Sequence, residues 1–318
     1  MPELAPCRSK LQLIAAYAVL YIIWGSTYLA IRFSVETIPP FFAGGTRFLI
    51  AGALLLAFRI LQTGKKMTVN NWKHAYIGGL LPFAVTFGML TMAERVVPSS
   101  IAALMVALEP LWFCVIGWLF FKGPKPTIFN YIALLMGFAG TALLVAGDPN
   151  ADFSMSSNYT IWILVIFIST FTWVFGAFIS RNPNIHEDSF IASGMQMLCG
   201  GATMMVMQLA LSLVTGEAVN ISAISFRSAA ALIYLIIFGS IIAYSSFVWL
   251  LRVEPAGRVS THTFVNPIVA VFLGRLLGGE AVHAGMLMGA PLIIGSVILM
   301  LLDPKPARKR TEIRAECD

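Results

Sequence analysis

Glu109 stands immediately before Pro110 near the middle of a strongly apolar run, and Asn266 stands before Pro267 in a second such run. A carboxylate at that depth is costly, and its default reading is functional: it binds a cation, carries a proton or pairs internally. The neighbouring proline removes a backbone donor and loosens the helix, so freed carbonyls can face a cavity. Glu109 is therefore the candidate for proton coupling or for holding a cationic group of a cargo. The structural alternative is a carboxyl locked in an internal hydrogen bond or in an ion pair with Arg47.

Arg47 sits a few residues inside an apolar segment, where a guanidinium fork would suit a substrate carboxylate. Snorkelling toward the headgroups is its rival and is favoured at this depth. Tyr21, Trp24, Tyr28 and Arg32 fall at helical spacing on one face, as do Trp173, Ala177 and Arg181. Two such aromatic faces could clamp a planar or cationic substrate, although membrane tryptophans also form interfacial belts. Thr27 lies in the first run and counts with Trp24 and Tyr28 as a candidate substrate contact. Arg32, nearer the boundary, reads as an anchor. His262, Thr263 and Asn266 share a face, and His262 could relay protons or simply hydrogen-bond inside a bundle. Trp112, Tyr244 and Thr86 complete the candidate substrate-binding set, with Trp249, Ser245 and Ser246 behind them. Hydroxyls of this kind also bond back to their own helix.

These side chains need elements that cross a membrane. The chain has 318 residues, of which 58% are hydrophobic and 11% charged, too apolar for an ordinary soluble domain. Segments of about 20 apolar residues, the length that crosses a bilayer, number about ten: 11–33, 40–62, 74–93, 97–121, 127–147, 159–180, 189–214, 228–251, 257–278 and 282–302. The first is too long for a signal-peptide core and reads as an uncleaved anchor. The expected fold class is an all-α integral membrane protein of ten transmembrane helices. Its organisation is a tail at 1–10, a five-helix repeat at 11–147, a polar linker at 148–158, a second five-helix repeat at 159–303 and a basic tail at 304–318.

The two halves repeat each other. Trp24, Arg32, Phe41, Ala43, Gly45, Gly52 and Ala53 return 149 positions later as Trp173, Arg181, Phe190, Ala192, Gly194, Gly201 and Ala202. Arg95, Pro98 and Pro110 return 157 positions later as Arg252, Pro255 and Pro267. A unit with an odd number of spans, copied in tandem, enters the membrane in opposite orientations, which is the inverted-repeat plan of a secondary transporter. Small residues such as Gly44, Gly200, Gly137 and Gly140 mark places where helices approach closely. With the N-terminus in the cytoplasm, 16 of the 21 Lys and Arg fall inside and five outside: Arg32, Arg47, Arg95, Arg227 and Arg275. That excess places both termini in the cytoplasm of a multi-pass inner or plasma-membrane protein.

The same charge pattern accounts for the basic pI of about 9.3 through anionic headgroups rather than nucleic acid. The four cysteines, Cys7, Cys114, Cys199 and Cys317, have no metal-binding spacing. Sequons at Asn158 and Asn220 lie on the expected outside. No zinc helix, Walker A loop, dinucleotide glycine pattern or nucleophile elbow is present, so neither an enzyme nor a cofactor is expected. The expected partners are a small-molecule substrate, membrane lipid and protons. The sequence does not fix the oligomeric state.

The run Trp24-Gly25-Ser26-Thr27-Tyr28, the stretch from Ala102 to Trp112 with Glu109-Pro110, the partner Asn266-Pro267 and the turn Gly278-Gly279-Glu280 resemble the EamA family of the drug/metabolite transporter superfamily. Gly123-Pro124-Lys125 departs from that turn pattern in the first half. The resemblance covers nearly all of positions 11 to 302 and is strongest to the YedA-like branch of bacterial inner-membrane exporters. It implies ten spans, an inverted repeat and export of small amphiphilic metabolites such as amino acids, aromatic compounds or cationic drugs. A uniporter without ion coupling, or a non-transporting receptor or assembly protein on the same fold, stays open at this point.

Overall fold

The computed structural model describes residues 10–123, 125–146, 158–180, 182, 184–216, 219–253, 259 and 262–302. The linker at 148–157, both tails, Arg181, Pro255 and the side chain of Arg252 lie outside the described residues. Among those described there is no strand. The helices are α1 (Lys10–Ser34), α2 (Pro40–Thr63), α3 (Val69–Gly79), α4 (Phe87–Ala93), α5 (Ser99–Val106), α6 (Glu109–Phe120), α7 (Ile128–Ala146), α8 (Asn158–Ile179), α9 (Ser189–Thr215), α10 (Phe226–Tyr234), α11 (Tyr244–Val253), α12 (His262–Leu277) and α13 (Ala284–Leu301).

Local sequence sets the ends of several helices. Pro39-Pro40 blocks continuation of α1 and suits the first turn of α2, where proline's missing N–H costs nothing. Thr68 and Asn71 form a reciprocal capping box on α3, and Asp188 caps α9 by accepting from Phe190 N and Ile191 N. Gly64 and Gly216 close α2 and α9 in the left-handed conformation, at φ 63° and 74°.

Seven helices among the described residues are long and apolar enough to cross a membrane: Lys10–Ser34, Pro40–Thr63, Val69–Ala93, Ser99–Phe120, Tyr159–Ile179, Ser189–Thr215 and Phe226–Leu250. Three shorter apolar helices, Ile128–Leu144, Val265–Leu277 and Ala284–Ser296, coincide with the remaining expected segments. Large apolar side chains such as Leu54, Leu61, Leu164, Leu209 and Leu213 point outward, as on helices that face lipid rather than water.

Two of the long helices contain a π-helical segment. Between α3 and α4 the chain makes a π-helical segment, Leu80–Thr86, and between α10 and α11 another, Leu235–Ala243. Adding 157 to the first range gives 237–243, inside the second. Pro82 in the first segment has no N–H to give to a regular ladder, which favours the wider turn.

Glycines set the closest approaches. An added Cβ on Gly52 would stand 2.9 Å from Gly194 O, and one on Gly201 would stand 3.1 Å from Gly45 O, so α2 and α9 meet backbone to backbone. These contacts exchange under the sequence repeat, because Gly45 and Gly52 are the counterparts of Gly194 and Gly201. Gly140 on α7 and Gly289 on α13, also 149 apart, meet in the same way at 2.9 Å and 2.5 Å. In the largest apolar core Ile31, Ile101, Leu104, Met105, Leu108, Leu111, Ile163 and Ile166 pack together.

Candidate functional site

Centrally placed polar groups gather around the two π segments and the break between α5 and α6. At the second π segment, Trp24 Nε1 donates to the Gly239 carbonyl at 3.3 Å, and Arg47 Nε donates to Ser240 Oγ at 2.7 Å. Arg47 is only 5% exposed, with its guanidinium 5.0 Å and 5.1 Å from the ring centroids of Phe48 and Phe87. It therefore does not snorkel. The expected pairing with Glu109 is also absent among the described residues: Arg47 bonds Ser240, and the acid whose charge reaches it is Glu94.

Glu109 opens α6 just past the α5–α6 break, with Pro110 in the first helical turn where its missing donor is harmless. The Trp173 side chain lies beside the Glu109 carboxyl, and the Trp173 and Phe87 rings meet edge-on at 5.9 Å. The Tyr28 phenol lies within electrostatic range of both Glu109 and Glu94. The structure thus sets Tyr28 of α1 and Trp173 of α8 about Glu109 of α6, and Phe87 links Trp173 to Arg47 of α2.

The structure adds a residue that sequence reasoning passed over. Glu94 follows α4 directly and is 1% exposed, and among the described residues neither carboxyl oxygen has a hydrogen-bond partner. One signal was available: an acid at the first position after an apolar span, in a connection too short to carry it far from the helix ends.

Beside it lies a closed polar knot. Glu280, in the turn between α12 and α13, accepts from Ser99 N at 2.9 Å and Ser99 Oγ at 2.7 Å on one oxygen. Its other oxygen accepts from Ser100 N at 3.1 Å and from Ser100 Oγ. Arg32 Nη1 donates to the first oxygen as well, in a salt bridge. Arg32 is therefore a structural partner of Glu280, not a free interfacial anchor. Burial pushes the Glu280 carboxyl up, but the hydroxyl and backbone donors of Ser100 and Ser99 outweigh it and hold the group below its ordinary range. Gly279 makes the turn at φ 65°, and a Cβ on Gly274 would stand 2.6 Å from Glu280 Oε2.

The remaining candidates divide. His262 is buried against Trp24 and Phe247, at centroid distances of 5.0 Å and 5.9 Å. Its Nδ1 lacks a hydrogen-bond partner among the described residues. The Asn266 amide, in the orientation that its neighbours favour, donates to the carbonyls of Tyr21 and His262. Thr27 Oγ1 bonds back to Trp24 O at 2.6 Å. Thr86 bonds both Leu81 O at 3.0 Å and Thr172 Oγ1 at 2.9 Å. The Tyr244 hydroxyl lies near Ser193, whose own hydroxyl donates to Ser189 O at 2.7 Å. Trp112 belongs to a separate aromatic cluster with Phe138, Phe167 and Phe171, its indole donating to Thr170 Oγ1 at 2.8 Å. Among the described residues there is no group of three or more His, Cys, Asp or Glu able to hold a metal ion. What the cluster offers is buried carboxyls, a buried guanidinium and aromatic faces, the chemistry of an amphiphilic charged solute.

A family model, the EamA-like transporter family, matches residues 12–146 and 160–302. The chain is 36% identical over 297 residues to the inner membrane transporter YedA of Escherichia coli K12, covering 93% of this chain and 92% of that protein. It is 23% identical to the transporter YvbV of Bacillus subtilis, covering 94% and 93%. A protein crystal structure matches 92% of this chain and 97% of its own with a TM-score of 0.62 at 20% identity. That last likeness is one of fold.

Proposed function

This chain belongs to the EamA-like transporter family, and from that premise we propose that it is a secondary active transporter of small amphiphilic metabolites. It crosses the inner membrane ten times, as two inverted five-helix repeats with both termini in the cytoplasm. Its cargo class is amino acids, aromatic compounds or cationic drugs, and its direction is export. One half rocks against the other so that a central site opens to alternate sides.

The observation that carries this reading is the placement of Tyr28 and Trp173 about the half-buried Glu109 carboxyl, with Arg47 buried against Phe87, the ring that meets Trp173. A lone buried carboxyl would fit a structural role, whereas a carboxyl, a guanidinium and aromatic faces drawn from four helices and both halves fit a solute. Two further features support the repeat. Glycine contacts between α2 and α9 exchange when the halves are exchanged, and a π-helical segment stands at matching positions in each half. Glu109 binds the cationic group of the cargo or exchanges a proton for it.

The test is counterflow in proteoliposomes loaded with a pool of amino acids and aromatic cations, with labelled tracer outside. Tracer accumulation that is absent from empty-lipid controls is expected, and Glu109→Gln should lower its rate at least about tenfold, the scale of one lost charged contact. Unchanged rate and unchanged pH dependence in Glu109→Gln would remove Glu109 from the site.

A further inference from the structure

Glu94 is the buried acid that the substrate site leaves unexplained. A carboxylate removed from water and given no donor is costly, and such a group ordinarily stays neutral or acquires a partner. Four charged or titratable side chains face it. From α1 come Arg32 and Tyr28, from α2 Arg47, and from the α12–α13 turn Glu280. Helix α8 also packs on α4, but its Trp173 and Thr172 meet Phe87 and Thr86 at the opposite end of that helix from Glu94. The Arg32 backbone passes close to Glu94 without closing a hydrogen bond.

Arg32 is the group that would satisfy Glu94, and it is already engaged by Glu280. Two acids therefore feel the charge of one guanidinium, and only one of them holds it. Glu280 has five donors and is ionised, while Glu94 has none. Burial raises the Glu94 carboxyl, the charge on Glu280 adds to this, and Arg32 and Arg47 pull the other way without cancelling it.

We propose that Glu94 is a proton-binding site whose occupancy is set by which acid holds Arg32. With the α12–α13 turn seated on α5, Arg32 pairs with Glu280 and Glu94 carries its proton. When that turn lifts from α5 to open this end, Glu280 passes into water and Arg32 moves to Glu94. The Glu94 O–H bond breaks, its electron pair stays on the carboxylate that Arg32 now holds, and the proton leaves to solvent on the open side. Reprotonation reverses each step and lets the end close. The inference rests on the alternating-access reading for its use in transport, but the proton site itself does not.

The full chain in lipid nanodiscs is to be followed by infrared spectroscopy over a pH series. We expect a protonated-carboxyl band that persists above the range in which a solvated carboxyl titrates, loses a component in Glu94→Gln, and keeps that component in Glu109→Gln. Glu280→Gln frees Arg32 from its ion pair, so the same component should disappear at lower pH, with a midpoint shift on the order of one pH unit. Glu94→Asp, which keeps the carboxyl, should retain a titrating component if Glu94→Gln perturbs the fold. Spectra of Glu94→Gln identical to those of the parent overturn the proton site, and an unmoved midpoint in Glu280→Gln overturns the sharing of Arg32. Counterflow separates the two readings. Cargo movement with the same pH dependence in Glu94→Gln as in the parent refutes the coupling while transport stands. A band that titrates as described, in protein that moves no tested cargo, supports the proton site and counts against the transport reading.

Discussion

The Glu280 end and the Asp188 end of the molecule are closed by the same kind of contact, an acid at a helix N-terminus holding an arginine. Exposure hardly separates them: the side chains of Arg32 and Glu280 are 34% and 3% exposed, those of Arg59 and Asp188 28% and 4%. What differs is whose helix the acid serves. Asp188 caps its own helix, α9, and takes Arg59 of α2 in addition, with Nε at 3.0 Å and Nη2 at 2.9 Å. Pulling α2 away would cost the ion pair and leave the cap intact. Glu280 caps α5, a helix some 180 positions distant in sequence, so lifting its turn strips four serine bonds and the arginine together. Two closures of similar composition thus have unequal opening costs, and the difference is topological.

Glu280→Ala is the most severe way to break this comparison. It leaves buried serine donors and Arg32 without their acceptor and should cost on the order of 3 kcal/mol, read as a lowered thermal midpoint in detergent. A loss no larger than that of Asp188→Ala would mean that topology does not decide the cost. Asp188→Ala removes a cap and an ion pair and should cost about 1–2 kcal/mol. Asp188→Asn sharpens the contrast, since its side-chain oxygen still caps α9 and most of the stability should return.

Acid should weaken both ends. The donors of Glu280 hold it low, and at Asp188 burial raises the carboxyl but Arg59 and the amides of Ile191 and Phe190 outweigh it. Each acid therefore contributes stability that is present above its unfolded value and lost as pH falls through its depressed folded value. In Glu280→Gln, the acid-dependent fall of the thermal midpoint should be shallower than in the parent. An identical slope would place the titration elsewhere. The smallest effect belongs to the Lys65–Glu187 pair near the Asp188 end, 2.8 Å long with Glu187 76% exposed. Glu187→Gln should leave the thermal midpoint where it is, and a shift comparable to that of Asp188→Asn would overturn the ranking of the two contacts.

Much of the helical layout was legible in the sequence because it rests on run length and on proline. The break at Glu109-Pro110 and the shared face of His262 and Asn266 follow from local chemistry. Arg47 was misjudged for a physical reason. Its partner Ser240 lies in a π segment, where the extra residue per turn displaces the faces that a 3.6-residue period would assign. Glu94 was passed over because its burial is made by α1 and by a turn nearly two hundred positions away, which no local window contains. The Arg32–Glu280 pair escaped for the same reason, although Glu280 itself stood out in the turn motif.

The glycine seam between α2 and α9 has a last consequence, for tolerance to change. Around Gly52, Gly194 and Gly201 a first added carbon would lie 2.8–3.1 Å from peptide nitrogen or oxygen of the facing helix. A crowded side chain can turn to another rotamer, but a peptide group can yield only if its whole helix moves. A saturation library at these positions should therefore sort into two populations, glycine and everything else, with alanine falling among the bulky residues rather than between them. That absence of a gradient is the mark of a surface gauged against backbone.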